Sequence, residues 1–266
     1  MAKGNRAASA RGCANVALPQ RVDGECRRIA RHAVRARCAD AGSLRALSRL
    51  MIWLSPAFPV GGYAYSHGLE WVVERRAVAS ARTLCAWIED VLEHGAGRSD
   101  LILLAESWRA VGAGDIERLS AAAELAGALA SSAERRQETL AQGTAFLSAV
   151  RAVWPQRALD ALGASGVEIA FPVAVGACAA AHGLPLRASA QAFCQAFAAN
   201  LVSAGVRLIP LGQTDGLRLL ARLQRLIPCL VGEALIAGLD DVGGAAIAAD
   251  IASMRHESQY TRLFRS

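Results

Sequence analysis

The chain has 266 residues, of which 53% are hydrophobic, 20% are charged and only 5% are aromatic. A chain of this length can bury a full core, and such a high apolar content excludes wholesale disorder, which requires low hydrophobicity and high net charge. Strong helix formers such as Ala, Leu and Arg dominate, whereas strand formers come mostly one at a time, which excludes an all-β fold.

The net charge of +6 is concentrated at the N-terminus. Residues 1–50 contain 11 of the 29 Lys and Arg residues and three of the 23 acidic residues, which leaves 18 basic and 20 acidic residues for 51–266. A basic binding face on the rest of the chain therefore does not follow from the total charge. We expect residues 1–43, which are rich in Arg and lack an apolar period, to be a disordered arm or a segment upstream of the true start, because Met51 could also initiate the chain.

Cysteine usage and hydropathy predict the compartment. The seven cysteines are irregularly spaced and form no C-x-x-C pair, which is typical of reduced thiols in the cytoplasm. No secretory signal is visible at the N-terminus, and the longest uncharged window, residues 188–206, is too polar to face lipid. We therefore expect a soluble, cytoplasmic protein that does not bind a membrane.

Apolar residues recur at helical spacing from Leu44 towards the C-terminus. The first stripe stops at Pro56, where two prolines and two glycines within seven residues predict an ordered, non-helical loop. A helix is expected to resume near Tyr65.

The following helices have recognisable ends. Ser80 is a predicted N-cap, and Gly95 and Gly97 are expected to end the helix that it starts. The next helix is expected to begin at Asp100. A later one is expected to begin with a capping box over residues 131–134.

Two proline residues and a final stripe mark the last helices. Pro210 follows a long apolar stripe, Pro228 is expected to end or kink its helix, and the last helical stretch is expected between Asp241 and Met254. The sequence therefore predicts an all-α fold, a globular bundle of about nine or ten helices without a sheet. The predicted divisions are an arm over 1–43, a single helical domain over 44–252 and a tail over 253–266.

Candidate catalytic and metal-binding groups are incomplete. Lys3 is the only lysine, so a P-loop is excluded. Ser66 and His67 would point about 100° apart on a helix and could not act together as nucleophile and base. His67 and Glu70 could share a helix face, but a di-metal bundle needs a second such pair. We expect no permanent metal ion, and an all-α metal-binding enzyme that uses His67, Glu70 and His256 remains an alternative.

Residues 54–70 combine two prolines, three glycines and three aromatic residues in seventeen positions, which predicts a rigid loop that presents its rings. A β-branched residue at Gly61 or Gly62 is expected to be costly if φ is positive there. The residues of this loop that we expect to be structural or to form an interface are Pro56, Phe58, Pro59, Gly61, Gly62, Tyr65, Ser66, His67, Gly68 and Glu70.

Residues 253–266 mix Arg with aromatic and aliphatic residues, a combination typical of interface hot spots. Because chain ends fray unless something binds them, we expect a tail that is mobile alone and becomes ordered on a partner. The predicted partner-binding residues are Met254, Arg255, His256, Glu257, Tyr260, Arg262, Leu263, Phe264, Arg265 and Ser266.

Residues 53–70 and 253–266 resemble the N-terminal and C-terminal signatures of the UreF family of urease accessory proteins. The likeness covers about residues 45–266, and the arm before it departs from the family pattern. Further segments similar to the family, in the expected order, are 97–100, Glu134 with 139–143, 171–176, 200–204 and 210–216.

The resemblance implies an all-α homodimer without catalytic activity that serves nickel insertion into apo-urease. It would bridge the accessory protein UreD, also called UreH, and the GTPase UreG, and it is expected to regulate that GTPase. Residues 255–266 would dock on UreD. The resemblance implies no cofactor of its own, because the complex handles nickel transiently, and no nucleic-acid partner. A helical regulator that binds nucleic acid through the Arg-rich arm is the second alternative, and its binding would fall steeply with salt.

Overall fold

Most of the described segments form helices because apolar residues recur in them at helical spacing, and a glycine, a proline or a capping serine lies in many of the connections. The computed structural model describes residues 42–164 and 168–266. These residues form α-helices, short 3-10 helices and connections, with no β-strand among them, so the all-α prediction is confirmed. Residues 1–41, which make up most of the predicted arm, lie outside the described part of the chain.

The described residues form eleven α-helices, close to the nine or ten expected. Two 3-10 helices, Gly62–Ala64 and Leu239–Asp241, lie in the connections. The α-helices are α1 (42–53), α2 (Leu69–Glu74), α3 (Ala81–His94), α4 (Ala96–Ala113), α5 (Ile116–Ala128), α6 (Ala133–Val153), α7 (Arg157–Ala164), α8 (Phe171–Ala181), α9 (Leu186–Leu208), α10 (Gln213–Ala234) and α11 (Ile247–His256).

Side-chain caps explain where two of these helices begin. The Ser80 hydroxyl accepts the N–H of Thr83 at 3.3 Å, and the Thr83 hydroxyl accepts the N–H of Ser80 at 3.0 Å, so the predicted N-cap is confirmed. The Ser132 hydroxyl caps α6 by accepting the N–H of Arg135 at 3.1 Å. The capping box predicted over 131–134 is therefore wrong, because the third residue of the helix is Arg135, which has no acceptor to complete the box.

The boundary between α3 and α4 also differs from the prediction. Only Gly95 separates the two helices, and Gly97 continues the second one. Because α4 begins at Ala96, Asp100 lies in its second turn and does not cap it. This shift places the Asp100 carboxyl inside the bundle, where it lines a cavity.

Three other boundaries differ from the prediction as well. The helix expected near Tyr65 begins at Leu69, because Gly68 before it has a left-handed backbone with φ 75°. Pro228 was expected to end or kink its helix; it does not end it, since α10 continues to Ala234, and the kink stays a prediction. The last helix begins at Ile247, because the 3-10 helix Leu239–Asp241 and an extended connection precede it.

The described residues from 46 to 266 form one compact unit with α4 and α8 packed together in its interior. Gly176 allows this close approach, since a Cβ there would lie 2.2 Å from the Leu104 carbonyl oxygen. The Trp53 ring packs edge-on against Phe146 with 5.6 Å between ring centroids, which anchors the end of α1 to α6. Within the described ranges, no helix combines the length and the apolar character needed to cross a bilayer.

Candidate partner-binding site

Left-handed backbone shapes the loop that precedes α2. Gly61 has φ 71° at the start of the first 3-10 helix, and His67 and Gly68 are left-handed in succession with φ 56° and 75°. The neighbouring Gly62 does not have a positive φ, so a β-branched residue is expected to be strained at Gly61 and not at Gly62. A Cβ on Gly68 would lie 2.6 Å from the backbone nitrogen of Ser253, so the start of α2 and the middle of α11 meet backbone to backbone.

The last residues of the chain lie against this loop. The buried Glu70 carboxylate accepts the backbone N–H of Leu263 at 2.6 Å and that of Phe264 at 2.8 Å. The same carboxylate lies 3.3 Å from Nε2 of His256. Hydrogen bonds from these groups replace the hydrogen bonds to water that the carboxylate loses when it is buried.

His256 lies between two carboxylates and is completely buried. Its Nδ1 is 2.6 Å from Oε2 of Glu134, and its Nε2 faces Glu70. Both contacts are hydrogen bonds only when the ring carries two protons. Arg262 donates to the other oxygen of Glu134 at 2.6 Å, so polar contacts through Glu134, His256 and Glu70 join the tail to α2 and α6.

The end of the tail is held by main-chain contacts. The backbone N–H and the hydroxyl of Ser66 donate to the carbonyl oxygen of Ser266 at 2.6 and 2.5 Å. The hydroxyl of Ser266 donates to Glu138 at 2.6 Å, and the N–H of Arg265 donates to the carbonyl of Ala64 at 2.8 Å. Because the Ser66 hydroxyl is engaged with Ser266, Ser66 helps to hold the tail against the loop.

These contacts correct the prediction of a tail that becomes ordered only on a partner. The physical reason is that the buried carboxylates of Glu70 and Glu138 need donors, and the tail supplies them. His256, Phe264 and Ser266 were predicted to bind a partner, but their side chains face the rest of the chain. Phe264 is only 4% exposed, and the Arg207 guanidinium lies 4.4 Å from its ring centre.

The other tail residues predicted to bind a partner are exposed, and α11 adds two more apolar side chains. Tyr260 is fully exposed and Leu263 is 66% exposed. Ile247 and Ile251, which the sequence analysis missed, are exposed at helical spacing with Met254 and share one face of α11. We call Ile247, Ile251, Met254, Tyr260 and Leu263 the α11–tail surface. The charged residues Arg255, Glu257, Arg262 and Arg265 are exposed as well.

Glu257 also has a structural role in the monomer. Its carboxylate accepts the N–H of Ala133 at 2.7 Å, at the positive end of the α6 dipole. The Ser253 and Ser132 hydroxyls are 2.6 Å apart at the same place. The junction of α11 and the tail is therefore fixed to the first turn of α6.

His67 belongs to a second buried group, the His67–Glu138 cluster, which contains His67, Arg135, Glu138 and Gln142. The Glu138 carboxylate is paired with Arg135, lies 2.9 Å from Nε2 of His67 and accepts from Gln142 at 2.9 Å. Burial alone would raise the pKa of Glu138, but Arg135 and then His67 outweigh it and hold that pKa well below its usual range. Burial and then Arg135 lower the pKa of His67, which keeps its ring neutral.

The three residues of the alternative metal site are divided between these groups. Glu70 and His256 are in contact, whereas His67 pairs with Glu138. In the described ranges, no three His, Cys, Asp or Glu side chains come together in an arrangement that could hold a metal ion.

Comparison with known proteins agrees with the resemblance seen in the sequence. The UreF family model matches residues 78–224. The urease accessory protein UreF of Rhodopseudomonas palustris strain HaA2 is 53% identical over 234 residues, which cover 86% of this chain and 99% of that protein. The urease accessory protein UreF of Bradyrhizobium diazoefficiens is 49% identical over 222 residues, which cover 83% of this chain and 92% of that protein.

Proposed function

This chain belongs to the UreF family of urease accessory proteins and serves urease maturation, and we propose that it does so as a non-catalytic scaffold. In this proposal a cytoplasmic homodimer bridges UreD/UreH and the GTPase UreG, and the complex delivers nickel to apo-urease. Nickel is then cargo of the complex, and the chain has no cofactor of its own. Regulation of GTP hydrolysis by UreG is part of the same proposal.

The observation that supports the scaffold most strongly is the α11–tail surface. Its five apolar side chains are exposed, and the backbone N–H of one of them, Leu263, is held by the buried Glu70 carboxylate. Exposed apolar side chains with neighbouring Arg residues are typical of protein interfaces. UreD/UreH is the partner that we assign to this surface.

The docked tail changes the expected binding mechanism. Because Glu70 holds the N–H groups of Leu263 and Phe264, the tail backbone is already ordered before a partner arrives. A preorganised segment loses less conformational entropy on binding than a free one. We therefore propose that Tyr260 and Leu263 bind UreD/UreH as presented on the monomer, without a coupled folding step.

A catalytic role has less support because the candidate groups are engaged with one another. The Ser66 hydroxyl donates to Ser266, and His67 pairs with Glu138. Glu70 accepts two backbone N–H groups of the tail. These residues stabilise the docked tail, which is a structural role.

The test is co-purification from cells that express this chain with UreD/UreH and UreG. The variant Tyr260→Asp with Leu263→Asp places two charges on the α11–tail surface. We expect it to retain less than about one-tenth of the UreD/UreH bound by wild type, since a hot-spot residue typically contributes ~2 kcal/mol or more. The helical circular dichroism spectrum should not change, because both side chains are exposed.

The matched control is Ile236→Asp, which changes an apolar residue that is 89% exposed after α10, outside this surface. It should co-purify as wild type does. Wild-type recovery of UreD/UreH with the double variant would contradict the assignment of this surface. GTP hydrolysis by UreG, measured with and without the chain, tests the regulatory part separately.

A further inference from the structure

A cavity of about 200 Å³ lies beside the His67–Glu138 cluster. Its lining includes Tyr63 and Ser203, which are exposed and mark its opening, and three phenylalanine side chains, Phe171, Phe193 and Phe197. An apolar cavity of about 150 Å³ accommodates a molecule of the size of benzene. This one has room for a small organic ligand.

The carboxyl group of Asp100 lines the same cavity. Among the residues that the structure describes, none donates a hydrogen bond to it or forms an ion pair with it. Burial raises the pKa of Asp100 to about 7, and the nearby Arg135 only partly opposes this effect. Asp100 is only partly buried, but its carboxyl is desolvated where it lines the cavity, and a desolvated carboxyl without a donor is unusual because such groups are normally paired.

The charged groups that face Asp100 leave its negative charge without a counter-ion. They belong to the His67–Glu138 cluster, in which Arg135 is paired with Glu138 and His67 is neutral. Within the described part of the chain, Arg135 is the one Lys or Arg residue that lines the cavity. The ionised carboxylate of Asp100 would thus give the cavity one excess negative charge.

Four segments that resemble the family but have no role in the proposed partner binding contribute residues to this cavity. The segments 97–100, 139–143, 171–176 and 200–204 contribute to the family resemblance, and they lie on four different helices. Their side chains that line the cavity are Asp100, Thr139, Gln142, Phe171, Asn200 and Ser203.

We propose that this cavity binds a small organic cation, an ammonium or guanidinium group on a short apolar body, with Asp100 as its counter-ion. The phenylalanine rings surround the apolar body and attract the positive charge through their faces. The Gln142 side chain donates to Glu138 through its NH₂ group, which leaves its amide oxygen to accept one of the remaining N–H groups, and the Thr139 hydroxyl already accepts the N–H of Phe171. The binding site is separate from the α11–tail surface.

The test compares two probes of the same shape on the full chain by calorimetry at pH 8. Benzylammonium carries the positive charge, and benzyl alcohol is its neutral counterpart. We expect benzylammonium to bind at least about tenfold more tightly. Its affinity should fall as the pH is lowered from 8 to 6, because protonation of Asp100 removes the counter-ion while the probe stays charged.

The variant Asp100→Asn should abolish the preference for the charged probe, whereas Asp90→Asn, a change on α3 outside the cavity lining, should retain it. Equal affinity for the two probes, no binding of benzylammonium, or an unchanged preference in Asp100→Asn would overturn the proposal. If Asp100→Asn does not fold, the two probes and the pH profile on wild type decide the question. Failure here would leave partner binding untouched, since that assay depends on Tyr260 and Leu263.

Discussion

Replacing Glu70 with Gln is expected to release the docked tail while the helical bundle stays folded. The Glu70 carboxylate accepts the N–H groups of Leu263 and Phe264 and faces Nε2 of His256. Gln keeps one acceptor oxygen but places an NH₂ group where the second oxygen was. One of the two backbone N–H groups therefore faces another donor, and the contact to His256 loses its charge.

The expected cost follows from the number of bonds lost. A hydrogen bond to a charged group contributes ~1.5–3 kcal/mol, so loss of one bond and weakening of another shifts the opening of the tail by ~2 kcal/mol. Since ~1.4 kcal/mol corresponds to a factor of ten, the open fraction should rise about 30-fold. The stability of the bundle core should not change, because the hydrogen bonds that are lost join the tail to α2.

The assay is amide hydrogen exchange of residues 258–266, with global stability followed by urea denaturation. Glu74→Gln is the matched control, because Glu74 is an exposed residue at the end of the same helix. Exchange of the Leu263 and Phe264 amides should accelerate about 30-fold in Glu70→Gln and stay at the wild-type rate in the control. Acceleration of less than about threefold in Glu70→Gln would refute the role of this carboxylate in docking.

Three further changes have expected outcomes. Gly68→Ala should lower the free energy of unfolding, measured by urea denaturation, by more than ~3 kcal/mol, because a Cβ at φ 75° would lie 2.6 Å from the Ser253 backbone. Gly61→Ala should lower it by only ~1–2 kcal/mol, since φ is 71° there but the space around the Cβ is open. Asp100→Asn should stabilise the chain by more at pH 8 than at pH 5. The pKa of Asp100 is about 7 in the fold and near 4 in the unfolded chain, so ionisation costs the folded state up to ~4 kcal/mol as pH rises between these values. Glu257→Gln should lower stability by ~0.5–1 kcal/mol in thermal unfolding, because α6 loses a charge at its N-terminus.

Each of these outcomes has a clear contrary result. Equal costs at Gly68 and Gly61 would show that α2 and α11 do not meet as closely as described. An Asp100→Asn effect of the same size at pH 5 and pH 8 would show that the carboxyl titrates normally. An unchanged midpoint in Glu257→Gln would show that its contact to α6 contributes nothing.

Features set by local residues could be predicted from the sequence. The all-α class follows from helical periodicity, and the Ser80 cap follows from its own hydroxyl and that of Thr83, three residues away. The start of α4 could not be predicted, because glycine at positions 95 and 97 is compatible with either a break or a helix. Packing of α4 against its neighbours decides between them.

The orientation of the tail side chains required the structure. Phe264 and Tyr260 are similar in sequence terms, yet Phe264 is buried beside Arg207 and Tyr260 is exposed. Phe264 is held through its own backbone N–H, which has no sequence signature, and the Glu70 carboxylate that accepts this hydrogen bond is almost two hundred positions away. A local pattern can identify an interface-like tail but cannot show which of its faces is already occupied.

Asp100 was misread for a related reason. A single Asp after glycines is typical of a helix N-cap, and the sequence does not show that residues of five other elements line a cavity together with it. The signal that could have identified it was the segment 97–100, which contributed to the family resemblance but had no role in partner binding.

The most direct test of the scaffold is the molar mass of the assembly formed by this chain, UreD/UreH and UreG, measured by light scattering during size-exclusion chromatography. We expect one species that contains all three proteins, with two copies of this chain, and separate UreD/UreH and UreG peaks when the chain is omitted. Association of UreD/UreH with UreG to the same extent without this chain would contradict it.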